Sequence, residues 1–208
     1  MCFPTEARRT STLTKKSEHG MSTDLLDYVV VIEDALKAEF CDQVVGEYLH
    51  SSEWELAQVG FTATVVSTQR NAQVIQLSHK ESIQKNKVTR SAIDQTLFKS
   101  SLAAVRQYQK VFPHCRLTEG AGFQLLRYQT GGFYRTHTDS FQRAPRMLAC
   151  SFALNDDFEG GRWSFLGGAK ELSAPKGSAV LFPSNFMFPH EIQTITAGTR
   201  YSIITWMT

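Results

Sequence analysis

The sequence has no apolar run near the roughly 18 residues that a membrane-crossing helix needs. Its first twenty residues also lack an apolar block. They are rich in Ser, Thr, Lys and Arg, so no secretory signal is expected there. Paired cysteines are missing as well. Cys2, Cys41, Cys115 and Cys150 are scattered, with no CxxC spacing, so neither a structural zinc site nor a disulfide framework is indicated. The expectation is reduced thiols in a cytoplasmic protein. An excess of one charge is lacking too: 22 basic residues face 20 acidic ones. Four of the basic residues (Arg8, Arg9, Lys15, Lys16) and two of the acidic ones (Glu6, Glu18) lie in the first twenty positions, leaving eighteen of each sign in the rest. Such a balance gives no electrostatic footprint for nucleic acid or an anionic membrane.

What is present suits a folded domain. A length of 208 residues fits one core, and 42% hydrophobic content is ordinary for a globular chain. Residues 1–24 show no period and many small polar side chains. They are expected to be a disordered tail, with Met21 a conceivable alternative start and the folded unit covering 25–208. The β-branched run Tyr28–Ile32 reads as a strand. Asp34 is the expected N-cap of a helix with apolar positions at 36, 40, 44, 45, 48 and 49. Strands are expected over 59–67 and 72–77, and a second helix over 92–111, stopped by Pro113.

From Gly120 the pattern changes. Short apolar stretches follow at Phe123–Tyr128, Met147–Leu154, Arg162–Phe165, Ser178–Phe182, Glu191–Ile195 and Tyr201–Trp206. Gly-Gly, Asp-Asp, Pro-Lys-Gly and Ala-Gly-Thr separate them. Many short strands after two helices predict an α+β, mainly β architecture. It would be a jelly roll, with its core over about 120–208, buttressed on one side by the N-terminal helices.

His137-Thr138-Asp139 carries the chemistry. On a strand, residues two apart project to one face, so an imidazole and a carboxylate can reach one point. His190, 53 residues later and at the head of a β-like run, is the best third ligand. Two histidines and one carboxylate leave coordination positions open, as in non-haem Fe(II) oxygenases. Arg200 opens a strand, Tyr201–Trp206, expected to be buried. A guanidinium there needs an anionic partner, and its planar fork fits a carboxylate. A bound dicarboxylate and a structural salt bridge are both open at this point. Gly131-Gly132 and Gly160-Gly161 read as turns, and Trp163 and Phe165 as core.

These blocks resemble the prolyl 4-hydroxylase-like Fe(II)/2-oxoglutarate-dependent dioxygenases, whose fold is the double-stranded β-helix (cupin-like jelly roll). The segment from Tyr128 through Tyr134 and His137 to Asp139 looks like that family's Y-x-x-G-x-x-Y-x-x-H-x-D block. Leu154-Asn155-Asp156-Asp157-Phe158-Glu159-Gly160-Gly161, Pro175–Pro183, Pro189-His190-Glu191 and Gly198–Ser202 with Trp206 resemble its later blocks, in order. The resemblance implies iron ligands at His137, Asp139 and His190. It implies a cosubstrate site at Arg200, with Tyr128 hydrogen-bonded to the same 2-oxoglutarate. Arg146, Trp206 and Tyr134 fall at positions near the substrate in some members.

The implied cofactors are Fe(II), 2-oxoglutarate and O₂, with ascorbate as a reductant. The implied reaction is oxidative decarboxylation of 2-oxoglutarate to succinate and CO₂, coupled to hydroxylation of a substrate C–H bond. Asp139 argues for hydroxylation, because halogenating relatives lack that carboxylate. A prolyl residue in a peptide or protein is the first expected substrate, and a free amino acid or other small molecule the second. A nucleic-acid demethylase is disfavoured, since the AlkB type carries a second arginine where this chain has Trp206. An inactive cupin-like binding module has no reason to keep all three ligands and Arg200. Loops at 67–91 and 140–146 are expected over the barrel mouth, with the polar Gln69–Ser91 stretch either a lid or an idle surface loop. Oligomeric state is not legible.

Overall fold

The computed structural model describes residues 24–60, 64–78 and 87–208. The expected N-terminal tail, with Met21, lies outside the described residues apart from Asp24. So does most of the candidate lid beyond Ser78.

Fourteen strands and two α-helices follow in chain order among the described residues. They are β1 (Val30–Ile32), α1 (Ala38–Tyr48), β2 (Glu55–Leu56), β3 (Arg70–Asn71), β4 (Gln73–Gln76) and α2 (Lys87–Val111). Then come β5 (Gln124–Gln129), β6 (Phe133–His137), β7 (Leu148–Ala153), β8 (Glu159–Gly160), β9 (Trp163–Phe165) and β10 (Lys170–Leu172). The chain closes with β11 (Ala179–Pro183), β12 (His190–Ile192), β13 (Ile195–Ala197) and β14 (Thr199–Met207).

Two antiparallel sheets face each other. The major sheet runs β1-β11-β7-β14-β5-β4-β2 and the minor sheet β10-β9-β12-β6-β3, with β13-β8 a separate pair. This is the expected mainly β jelly roll with helices on one side. The helices cover the outer face of the major sheet: Cys41, Val44 and Tyr48 of α1 and Ile93, Leu97, Val105 and Tyr108 of α2 join Cys150, Phe152, Tyr201 and Ile203 in one core. Leu126, Tyr128, Trp163, Phe165, Phe182, Ile204 and Trp206 form a second core between the sheets. Central strands are therefore covered on both faces, and this explains why β7 and β14 read as continuous apolar runs rather than alternating ones. Each fully buried side chain there contributes roughly 1.5–3 kcal/mol.

Several sequence expectations need correction. Asp34 does not cap α1. It takes a left-handed turn (φ 54°), which aspartate tolerates better than most residues, and Lys37 stands at the N-cap without a side-chain bond. The expected strand over 59–67 is reduced to a bridge between Val59 and Thr64 among the described residues. Glu191–Ile195 is split between β12 and β13. A helix from 92 starts earlier, at Lys87.

Gly160, expected in a turn, instead closes β8 opposite Ile195, and Gly161 follows it; both have positive φ (74° and 59°). A Cβ on Gly160 would run into the carbonyl oxygen of Thr194, a backbone atom of the paired strand connection that cannot swing aside. We expect Gly160→Ala to destabilise the fold by about 2–4 kcal/mol, through left-handed strain and overpacking. Thermal unfolding should show a fall on the order of 10 °C. An unchanged melting temperature would contradict this account of Gly160.

Candidate active site

The minor sheet supplies two of the three groups that could hold a metal ion. β12 pairs antiparallel with β6 so that His190 lies directly opposite His137. Directly opposed residues bring their side chains together, and the two imidazole centroids are 4.3 Å apart. Between His190–His137 and the next pair, Ile192–Tyr134, the register shifts by one residue on β6. This bulge has a consequence for the site. Three residues apart on a regular strand, Tyr134 and His137 would face opposite ways. With the extra residue they share a face, and their rings stack at 3.4 Å and 17°.

Asp139 is not on the strand with His137, as the sequence reading assumed. β6 ends at His137, and Asp139 sits in a bend two residues on. Its carboxylate still reaches both rings: Oδ1 is 3.5 Å from His137 Nε2 and Oδ2 is 3.6 Å from His190 Nε2. One potential ligand atom from each residue lies within 4.8 Å of the others. Each Nδ1 is taken by a main-chain carbonyl, that of Arg135 at 2.9 Å for His137 and that of Phe188 at 3.0 Å for His190. A carbonyl only accepts, so each neutral ring carries its proton on Nδ1 and turns an unprotonated Nε2 to the shared point. That donor set fits a divalent iron ion.

Protonation agrees. Burial lowers the His190 pKa to about 4, against the pull of Asp139 and with further repulsion from His137. Burial opposes the charge of Asp139 too, yet the two imidazoles outweigh it and hold the carboxyl below its ordinary range. The Trp206 indole favours the ionised form from the same side, although its Nε1 completes no hydrogen bond. At neutral pH the ligand set is one carboxylate and a neutral buried His190.

The major sheet faces this cluster. Arg200 and Tyr128 are paired across β14 and β5, and both are buried, at 5% and 1% exposure. The guanidinium lies 5.5 Å from the ring centroids of Tyr128 and of Trp163. It donates one hydrogen bond, 3.1 Å from Nη1 to Ser202 Oγ. Among the described residues it makes no ion pair, so the structural salt bridge left open by the sequence is absent. An unpaired buried guanidinium is costly, and burial lowers its pKa.

These groups line one cavity of about 210 Å³, together with Tyr134, Phe141, Arg146, Trp163 and Trp206. All eight site residues expected from the sequence border it. Sequence reasoning missed Arg70, whose guanidinium lies 4.4 Å over the Tyr134 ring, and Ser202, which the two-residue period from Arg200 could have flagged. Trp163, read as core, is also a wall of the cavity.

Residues 123–208 match the family described as the 2OG-Fe(II) oxygenase superfamily. These residues carry a prolyl hydroxylase-like fold. A PKHD-type hydroxylase of Hyphomonas neptunium is 32% identical over 106 residues, 45% of this chain and 44% of that protein. Another from Synechococcus is 29% identical over 126 residues, 58% of this chain and 50% of that protein. The chain thus spans half or less of the length of these relatives.

Among solved structures, a Trichoplax adhaerens prolyl hydroxylase in complex with a hypoxia inducible factor peptide fragment superposes with a TM-score of 0.72. The match has 18% identity and covers 86% of this chain and 83% of that one. A Pseudomonas putida prolyl-4-hydroxylase gives a TM-score of 0.60 at 20% identity, over 86% and 91% of the two chains. At such identities the likeness concerns the fold. In this chain the strands that carry His137 and His190 pair with each other in the minor sheet of the jelly roll. No helix among the described residues is long and apolar enough to cross a membrane.

The neutral burial of His190 has a thermodynamic signature. Its folded pKa, about 4, lies below its ordinary value of 6.5. The unfolded chain therefore takes up this proton first as pH falls. Stability from His190 is full above 6.5 and is lost on acidification toward 4. We expect metal-free protein to lose on the order of 3 kcal/mol across that window. His190→Gln should flatten the dependence of melting temperature on pH there, and an unflattened curve would refute the assignment.

Proposed function

We propose that this chain is an Fe(II)- and 2-oxoglutarate-dependent hydroxylase whose first substrate class is a prolyl residue in a peptide or protein. The observation that carries the reading is the single cavity joining the His137–Asp139–His190 cluster to a buried arginine with no counter-ion among the described residues. The relatives named PKHD-type hydroxylases, and the prolyl hydroxylase solved with a peptide, support the substrate class.

When bound, Fe(II) and 2-oxoglutarate supply O₂ activation, coupled to decarboxylation of the cosubstrate and oxygen insertion into a C–H bond. The protein's residues prepare the place for it. His137, Asp139 and His190 would hold the metal, with their orientation fixed by main-chain carbonyls rather than by flexible partners. Arg200 would take the distal carboxylate of 2-oxoglutarate through its fork, and Tyr128 would add a hydrogen bond to the same molecule. Asp139 brings one negative charge, and the buried, neutral His190 completes the set without repelling the metal. Trp163, Phe165 and Phe182 pack around His190, with ring centroids 5.7, 5.7 and 4.6 Å away. They exclude water from that ligand and keep it neutral. Tyr134, Arg146 and Trp206 would border the substrate. Arg146 is placed for this by stacking 3.8 Å over Trp206.

Fe(II) and 2-oxoglutarate added together without O₂ should give a visible charge-transfer band, and succinate should form when air is admitted. His137→Ala should abolish both. Arg200→Gln should raise the KM for 2-oxoglutarate by about 100-fold, near 3 kcal/mol, because it removes one partner of a buried charge pair. Arg200→Lys should recover part of that loss, keeping charge without the fork. A full-strength band in the His137→Ala variant would sink the proposal.

A further inference from the structure

Two further cations line the cavity, and the proposed chemistry gives them no counter-ion. Arg70, on the edge strand β3, stacks over Tyr134 at 4.4 Å, and Arg146 stacks over Trp206 at 3.8 Å. Each is steadied by a single N–H. Arg70 donates from Nη1 to the carbonyl of Gln58, and Arg146 from Nη1 to the carbonyl of Asp139, both at 3.1 Å.

In both residues the side-on edge, Nε with Nη2, bonds to nothing among the described residues. Arg70 Nε is buried without a partner. That edge is the one that meets a carboxylate with two parallel hydrogen bonds. Tyr134 stands in the field of both guanidiniums. Its phenol hydroxyl can donate a hydrogen bond beside them.

Charge decides what the free edges want. Three guanidiniums line the cavity, Arg70, Arg146 and Arg200, against two carboxylates, Glu55 and Asp139. Glu55 is an exposed residue of β2. Neither acid forms an ion pair with Arg70 or Arg146. A divalent metal and a dianionic cosubstrate would cancel each other, so the loaded cavity keeps a surplus positive charge beside the substrate position. A carbonyl or hydroxyl could satisfy the N–H groups but not that charge.

We propose that the substrate presents a carboxylate to Arg70 and Arg146 beside Tyr134, so that the enzyme selects acidic substrates. The proposal rests on the oxygenase reading above. The same chemistry can come from the α-carboxylate of a free amino acid or from an acidic side chain flanking the target residue of a peptide.

The test compares acid and neutral isosteres with the iron-loaded enzyme and 2-oxoglutarate. One pair is a capped proline peptide with flanking Glu against the same peptide with Gln. The other is free L-proline against L-prolinamide. Substrate-dependent succinate release and addition of one oxygen are measured.

In at least one pair the acid should exceed its isostere by about tenfold or more in kcat/KM. The winning pair names the source of the carboxylate. That ratio should fall toward one in Arg70→Gln and Arg146→Gln, and Arg70→Lys should keep part of it. Each ratio is taken within one protein, so a general loss of fold or iron cannot imitate the effect. If no probe is turned over, perturbation of the Fe(II)–2-oxoglutarate band by the same four probes is read instead. Equal responses to acid and isostere in both pairs overturn the proposal, as does a ratio that survives in both glutamine variants. Absence of the band and of succinate in the wild type would instead show that the oxygenase reading itself had failed.

Discussion

The antiparallel pairing of β12 with β6, bulge included, is the constraint on which the site depends. It sets His190 against His137. By inserting one extra residue, it brings Tyr134 to the same face as His137. A strand without the bulge would leave one of these two side chains outside the jelly roll. Asp139 then needs only a short bend past the strand end to put its carboxylate between the imidazoles. On the other flank, β9 pairs with β12 and lays Phe165 opposite His190. His137, His190 and Phe165 thus come from three neighbouring strands, whose spacing is fixed by main-chain hydrogen bonds. Such a support holds side chains more rigidly than loops do.

The major sheet contributes a different chemistry through the same logic of alternation. Along β14, Arg200, Ser202, Ile204 and Trp206 turn inward, while Tyr201, Ile203 and Met207 join the helical core behind. The helices have an indirect role in function. They cover the Tyr201, Ile203 and Met207 side of β14, while Arg200 is buried on the opposite, inner face and makes no ion pair among the described residues. A cation so placed has a strong preference for an anion of defined shape.

How far the sequence revealed this follows from the range of the signals involved. His137, Asp139, His190 and Arg200 were legible because local spacing and an apolar strand context are written within a few residues. The jelly roll was legible from the rhythm of short strands and turn glycines. The bulge in β6 was not, because it exists only relative to the register of β12, fifty residues away. Arg70 was missed because it lies in a polar stretch with no period, and its value comes from pairing with Tyr134 across β3 and β6. Asp34 misled because a good capping residue is also a good left-handed turn residue, and the second use won here.

Overall charge balance was also a poor guide to local electrostatics. Twenty-two basic and twenty acidic residues nearly cancel over the chain, yet the cavity gathers three guanidiniums around one buried carboxylate and one exposed one. In the proposed reading this imbalance ties the ligands together energetically. A divalent metal entering a cavity with surplus positive charge relies on Asp139 and on neutral His190. A dianionic cosubstrate binding at Arg200 relieves the repulsion that the metal adds. Each therefore strengthens the other, by the same factor in both directions. A carboxylate-bearing substrate extends the sequence, because it removes the charge left once metal and cosubstrate have cancelled. A neutral substrate would leave two stacked guanidiniums without a counter-ion, and discrimination against it would come from that cost rather than from steric exclusion.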